Sequence, residues 1–389
     1  MVSLKTIARF CSMLLLLALI LTPAGSVRAA PGNTVRVSVA SDGTQSNHDS
    51  YNPSISADGR FVAFESEAAN LVSGDTNNFR DIFVHDRQTG QTTRVSVASD
   101  GAQANDFSSN PSISADGRYV AFISVANNLV SGDTGVDHDV FVHDRQTGAT
   151  TLVSVAMDGS EGNGYSEEVS ISADGRYVAF RSWADNLVSG DTNNHPDIFV
   201  RDRQTGQTTR VSVASDGTQA NDFSFEPSIS ADGRYVAFAS SAGNLVSGDT
   251  NSDWDVFVHD RQTGATTRVS VATGGGQAVG RSHNPSISAD GRYVAFASSA
   301  SNLVSGDTNN HPDIFVHDRQ TGVTTRVSVA SDGTQTYVFS FDPSISADGR
   351  YVAFGSEADN LVSGDTNGRF DIFVREMNKV VVFLPLIVR

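Results

Sequence analysis

Cysteine is almost missing from this sequence: the single one, Cys11, sits in an apolar leader. Lys5 and Arg9 form a basic start, "MLLLLALIL" runs from Met13 to Leu21, and "VRA" at Val27–Ala29 offers a small-residue cleavage site. This pattern predicts a signal peptide over residues 1–30 and export to the periplasm, the cell surface or the medium. The apolar run is too short for a membrane-crossing helix, and no longer one follows, so no transmembrane segment is expected. A mature chain without thiols excludes disulfide staples and cysteine redox chemistry. It leaves stability to a core that roughly 350 residues can supply.

Basic charge is also scarce. The formal charge is −17, and losing Lys5, Arg9 and Arg28 with the leader takes it to −20. Such a surface repels phosphate backbones and anionic lipid heads, so nucleic acid is not an expected partner, whereas cations and cationic peptides are. Helical periodicity is absent after the leader. The nucleophile elbow, the zinc helix motif and the phosphate-cradling glycine loop are absent too, which removes the signatures of common enzyme classes.

What the sequence does have is one unit written six times. The glycine of "SADGR" falls at Gly59, Gly117, Gly175, Gly233, Gly291 and Gly349, an unbroken period of 58 residues. Each unit reads as four short strands, "PSIS", "RYVAFAS", "DIFVHD" and "TTRVSVA", rich in β-branched and aromatic residues and bounded by turn formers. The short glycine-bearing links "ADGR" and "RQTG" suit hairpins, so each unit is an antiparallel meander. Six such sheets protect their faces and edges best when arranged radially. The expected fold is therefore all-β, a six-bladed propeller of four-stranded antiparallel blades over residues 31–376, followed by an apolar tail at 377–389. A monomer is expected.

The last unit stops after "DIFV" at Asp371–Val374, while "TVRVSVASDGTQ" stands alone at Thr34–Gln45. That orphan text is the missing fourth strand of the sixth blade, expected to close the ring. The tail "KVVVFLPLIV" at Lys379–Val388 is a competitor for the same slot.

The unit "PSISADGRYVAF…DIFVHDRQTG" resembles the TolB-like, or WD40-like, propeller repeat over about Thr34–Val374. Ala57 and its equivalents stand where that repeat usually has proline. The resemblance implies a six-bladed propeller, commonly found in exported bacterial proteins and commonly a binding platform. Gly-His to Trp-Asp pairing, which marks true WD40 blades, does not occur, and the sialidase Asp-box spacing fails because glycine directly follows aspartate.

Antiparallel order puts the short, near-invariant turns on one face and the long, variable links on the other. Residues shared by all blades, such as Asp58 and Arg60 of "ADGR", are expected to serve the blade, as are His85, His143, His259 and His317, which Arg201 and Arg375 replace in two blades. Residues that break the repeat are expected to serve a ligand. Just before strand one the chain reads Asn52, Asn110, Glu168, Glu226, Asn284 and Asp342, three acids and three amides at the channel mouth, suited to a cation, an ammonium group or sugar hydroxyls. Tyr51, Phe225, His283 and Phe341 lie beside them. Further rings come from Phe107, Tyr165, Phe223, Tyr337 and Phe339 on one set of loops. Phe79, His138, His195, Trp254, His311 and Phe370 occupy the other set, and such rings supply apolar area at low entropic cost.

Two functions are open at this stage. One is a secreted binding module for a peptide, a protein or a glycan. The other is a carbohydrate-active hydrolase or lyase using mouth carboxylates such as Glu168 and Glu226.

Cofactors are not required, with calcium the exception to weigh. Each long loop carries an aspartate pair six apart, and "DTNSDWD" places Asp249, Asn251, Asp253 and Asp255 at alternate positions, as a calcium loop would. An EF-hand is excluded: the sixth-position glycine is missing, and Asp260 lies about 15 Å along a strand. A looser site in blade four is the candidate, with Asp133, Asp137 and Asp139 of blade two behind it.

Overall fold

A computed structural model describes residues 35–377 apart from 134, 136 and 367. The described residues form six antiparallel meanders and no helix, the expected six-bladed β-propeller. In blade one the strands are Ser50–Ile55, Phe61–Ser66, Asp81–Asp86 and Gln91–Arg94, hydrogen-bonded in that order, and blades two to five repeat the pattern.

Strands two and three read as continuous apolar runs because both of their faces are covered. In blade two, Val120, Ala121 and Phe122 and, opposite them, Val140, Phe141 and Val142 are fully buried. The core lies between blades: Ala63, Ile82, Val84 and Val95 of blade one pack with Ile113, Val120, Phe122 and Phe141 of blade two. Strand one is the inner strand, and its neighbours are tied by a serine: Ser54 Oγ accepts from Ile113 N at 3.1 Å, and Ser112 Oγ from Ile171 N at 3.2 Å.

Strand four is shorter than its text. It ends at Arg94, because Ser96 turns its hydroxyl into the ladder, accepting from Ile82 N at 3.0 Å and donating to Asp81 Oδ1. A side chain thus replaces the next backbone carbonyl, and the rest of "VSVASDGTQ" becomes a loop pinned by a Val97–Gln103 bridge.

The recurrent polar residues are spent on the blade itself. Asp58 Oδ1 accepts from Arg60 N and Ser56 Oγ, closing the turn, and Arg60 makes a bidentate pair with Asp86. His85 is buried against Thr92 Oγ1 at 2.9 Å. Gly117 has φ +73°, and a Cβ there would sit 2.1 Å from the Phe61 ring of the preceding blade, so only glycine fits.

The expected ring closure is not seen among the described residues. Ala57 N donates to Ala115 O, and the same bond links every consecutive pair through Ala289 N to Ala347 O, whereas among the described residues no such bond joins blades six and one. Blade six has three strands, Ser340–Ile345, Tyr351–Ser356 and Asp371–Glu376. Val35 and Arg36 belong to no strand, and Thr34, the first residue of the expected closing text, lies outside the described residues.

Ile372 and Val374 are therefore 74% and 65% exposed, where Ile314 and Val316 are buried. A groove of about 860 Å³ runs along this edge, lined by Val329, Leu361, Asp365, Phe373 and Arg375 among others. The loop from Val37 to Ser46 nevertheless packs on blade one as its equivalents pack on later blades, with Val39 O accepting from Thr92 Oγ1 and Val97 O from Thr150 Oγ1. The signal-peptide reading and the tail at Lys379–Val388 fall outside the described residues. Among those described, no helix is long and apolar enough to cross a membrane.

Candidate functional site at the channel mouth

The six mouth residues lie inside strand one, not before it. Each sits at a bulge where two residues face one: in blade one the pairing passes from Tyr51–Glu65 to Ser54–Ala63, leaving Asn52 and Pro53 opposite Phe64. All six have left-handed φ, from +47° at Asn52 to +56° at Glu226. Outside glycine that conformation costs on the order of 1–3 kcal/mol, and asparagine and aspartate bear it more readily than glutamate. Glu168 and Glu226 are thus held in an unfavourable backbone state by the surrounding bulge.

The bulges turn these groups toward one another along the arc. Asn52 Nδ2 donates to Asn110 Oδ1 at 2.8 Å. Glu168 Oε2 accepts from Glu226 N, Glu226 Oε2 accepts from Asn284 N, both at 2.5 Å, and Asn284 Nδ2 donates to Asp342 Oδ1 at 2.7 Å. The structure brings together the six residues that the sequence singled out, in two hydrogen-bonded runs. Burial, reinforced by the charges of Glu168 and Asp342, pushes the Glu226 carboxyl up to about 7, against the opposing effect of the Asn284 N–H.

Two further residues belong to this rim and were missed in the sequence. Glu65 is buried, takes Arg80 on one oxygen at 2.9 Å and accepts from Asn110 N at 2.7 Å on the other. Arg181 reaches Glu168 at 3.3 Å and Glu167 at 3.7 Å. Both occupy the variable position between the phenylalanine and serine of strand two, which reads Glu65, Ile123, Arg181, Ala239, Ala297 and Gly355. That break in an otherwise fixed strand was the available signal.

The same position explains where the neighbouring rings lie. It faces Tyr51, Ser109, Glu167, Phe225, His283 and Phe341 across the strands. In blades four to six a ring faces a small residue, Phe225 on Ala239, His283 on Ala297 and Phe341 on Gly355, and a Cβ on Gly355 would stand 2.6 Å from the Phe341 ring. Phe225 is buried edge-on to Trp254, with centroids 4.6 Å apart, and Trp254 reaches His283 of the next blade at 6.2 Å, with the Arg281 guanidinium 5.0 Å above it. Burial pushes the His283 imidazole below its usual range.

Elsewhere on the face, Phe107, His138 and Tyr165 stack edge to face across the boundary between blades two and three. Phe341, Phe339 and Phe370 cluster in blade six. Several of these rings also stay open to solvent, among them Tyr165, Trp183, Tyr337 and Phe370.

The loop residues proposed for calcium in blade four have another counter-ion. Arg268 Nη1 lies 3.2 Å from Asp249 Oδ1 and 3.3 Å from Asp255 Oδ2, and Asn251 Nδ2 bonds Asp255 and Ala278 O. Asp253 points to Arg281 at 3.9 Å. A guanidinium thus stands between the two buried aspartates where a metal would have to stand. Arg94, Arg210 and Arg326 do the same in blades one, three and five. In blade two, Asp133 and Asp139 are joined by Glu161 rather than Asp137.

No family model matches this chain, and no curated protein does. Solved structures do resemble it. TolB from Acinetobacter baumannii is 19% identical, with 77% of this chain aligned and a TM-score of 0.42; the chain spans 60% of that protein's length. An oligogalacturonate lyase in complex with manganese is 13% identical over 86% of this chain and 78% of its own, with a TM-score of 0.50. The β-propeller domain of the Trilobed protease from Pyrococcus furiosus, described as having an open velcro topology, is 11% identical over 84% and 82%, also at 0.50. The two likenesses at 0.50 show the fold alone.

Proposed function

We propose that this chain is an exported binding module that recognises a peptide, protein or glycan over the face bearing the channel mouth. The observation that carries this reading is the hydrogen-bonded run Glu168–Glu226–Asn284–Asp342, flanked by Phe225, Trp254, His283 and Phe341. Carboxylates and amides held in fixed directions accept from ammonium, guanidinium or hydroxyl donors, and rings beside them supply flat apolar area. The surplus of acids favours a cationic peptide or a neutral glycan over a polyanion. Glycan and peptide arrays probed with the purified protein should return ligands of that kind, and Glu168→Gln/Glu226→Gln/Asp342→Asn should abolish their capture. Arrays at background, or capture unchanged in the triple variant, would remove the reading.

A second reading, a carbohydrate-active enzyme, draws on Glu226. A carboxyl raised to about 7 beside Glu168 has the protonation of a general acid near neutrality. Against it, the oxygens Glu168 Oε2 and Glu226 Oε2 are already engaged by backbone N–H groups of the next blade. Incubation with a polysaccharide panel and product analysis separates the two readings: turnover lost in Glu226→Gln would establish the enzyme, and no turnover on any substrate leaves the binding module.

A further inference from the structure

Four blades share one polar device on the outer side of strand three. The aspartate pair, Asp75 and Asp81 in blade one, is bridged by Arg94, and Asp81 Oδ2 accepts from both Arg94 and Asn77. Gln103 completes the site by bonding Thr76. Blades three, four and five keep all five residue types.

Blade two keeps the aspartates, Asp133 and Asp139, and changes the other three positions together. Asparagine becomes Gly135, arginine becomes Leu152, and glutamine becomes Glu161. Two donors and a positive charge are lost while a carboxylate is gained, so the formal charge of the cluster falls from −1 to −3.

The geometry shows what these changes leave. Asp139 is 3% exposed. Its Oδ1 accepts from Ser154 Oγ at 2.6 Å, as in the sister blades, but the arginine and asparagine that serve Oδ2 elsewhere are replaced by Leu152 and Gly135. One oxygen each of Asp133, Asp139 and Glu161 lie within 4.8 Å of one another. Gly135 keeps the space between them clear: a Cβ there would stand 2.9 Å from Glu161 Oε1 and 3.5 Å from Asp139 Oδ2. Three carboxylates converge here on a cleared space around a buried aspartate, where the sister blades place a guanidinium.

We propose that Asp133, Asp139 and Glu161 bind a divalent cation, calcium in the first place, which takes in blade two the position that arginine takes in its four sisters. Oxygen ligands at about 2.3–2.6 Å from calcium stand no more than about 5 Å apart, which the cluster satisfies. Asp133 and Glu161 are partly open to solvent, so water can complete a shell of about six to eight oxygens. An all-carboxylate set selects hard cations over zinc.

The test uses the full mature chain, stripped with chelator and dialysed. Titration calorimetry with calcium should show one site, and thermal unfolding should shift upward by several degrees at saturating calcium. The comparison variant is Gly135→Asn/Leu152→Arg/Glu161→Gln, which rewrites blade two in the residues its sisters already fold with. Its melting temperature in chelator should match or exceed that of the wild type, and its calcium affinity should fall at least tenfold. Glu161→Gln alone should weaken binding without restoring the arginine. Absence of both heat and shift with calcium, manganese and magnesium, or calcium binding that survives the triple rewrite unchanged, overturns the proposal.

Discussion

Glu226 donates its backbone N–H to the Glu168 carboxylate at 2.5 Å, so the acid that rims one blade is fastened to the backbone of the next. The bond couples the shape of the mouth to the stacking of blades. It also sets two carboxylates side by side in partial burial, with consequences for pH and for binding.

Glu226 should make stability fall as pH rises. Its folded-state value of about 7 lies above the unfolded value near 4.5, so folding takes up a proton between them. The contribution is fully present below about 4.5 and is lost as pH rises through 7. Glu226→Gln, which keeps an acceptor for Asn284 N, should be more stable than the wild type at pH 8 by on the order of 1–3 kcal/mol and equal to it at pH 4. Urea unfolding at the two pH values measures the difference; equal gaps at both would contradict it.

Arg268 should matter far more than an exposed arginine would. Both of its aspartates are nearly buried, and removing a guanidinium from between buried acids leaves charge uncompensated, at a cost of about 3–5 kcal/mol. Arg268→Leu should therefore lower the denaturation midpoint sharply, and adding Asn251→Gly and Gln277→Glu should create a second calcium site beside the one proposed in blade two. A midpoint within error of the wild type would show that the pair is solvated.

The uncovered edge of blade six gives a local contrast. Ile314→Thr leaves a cavity and buries a hydroxyl, which costs about 2–4 kcal/mol, while Ile372→Thr at the equivalent exposed position should change stability by less than about 0.5 kcal/mol. Similar losses at both positions, measured by thermal unfolding, would mean that a strand covers Ile372 in solution.

Trp254 links Phe225 to His283 across a blade boundary and reports on the proposed face. Trp254→Ala should weaken capture of an array-selected ligand about tenfold while the far-ultraviolet dichroism of the strands is retained. Affinity unchanged by this substitution would move the ligand away from this part of the rim.

The repeat made blade number and order legible, because Gly59 and its five equivalents mark the same turn in every blade, and from Gly117 onward that turn meets the aromatic ring of the blade before. Contacts from side chain to backbone were less legible. Ser96 reads as part of a strand by composition, and its hydroxyl, by entering the ladder, ends that strand. Asn52 reads as a loop residue because Pro53 follows it, and the bulge that places it inside strand one depends on pairing with residues 63–65. Arg94 lies 19 positions from Asp75 and 13 from Asp81, so their meeting needs the register of strands three and four. Blade two's departure was written in the sequence at Gly135, Leu152 and Glu161, but those three positions acquire a common meaning when the fold stacks them.

The most direct test of the account is a crystal structure of the protein soaked with its best array ligand. The account predicts ligand density against Glu168, Glu226, Asn284 and Asp342, with a ring of Phe225, Trp254 or Phe341 alongside. Density instead on the short-turn face around Asp58 and Arg60, or along the outer strands, with the mouth unchanged, would contradict it.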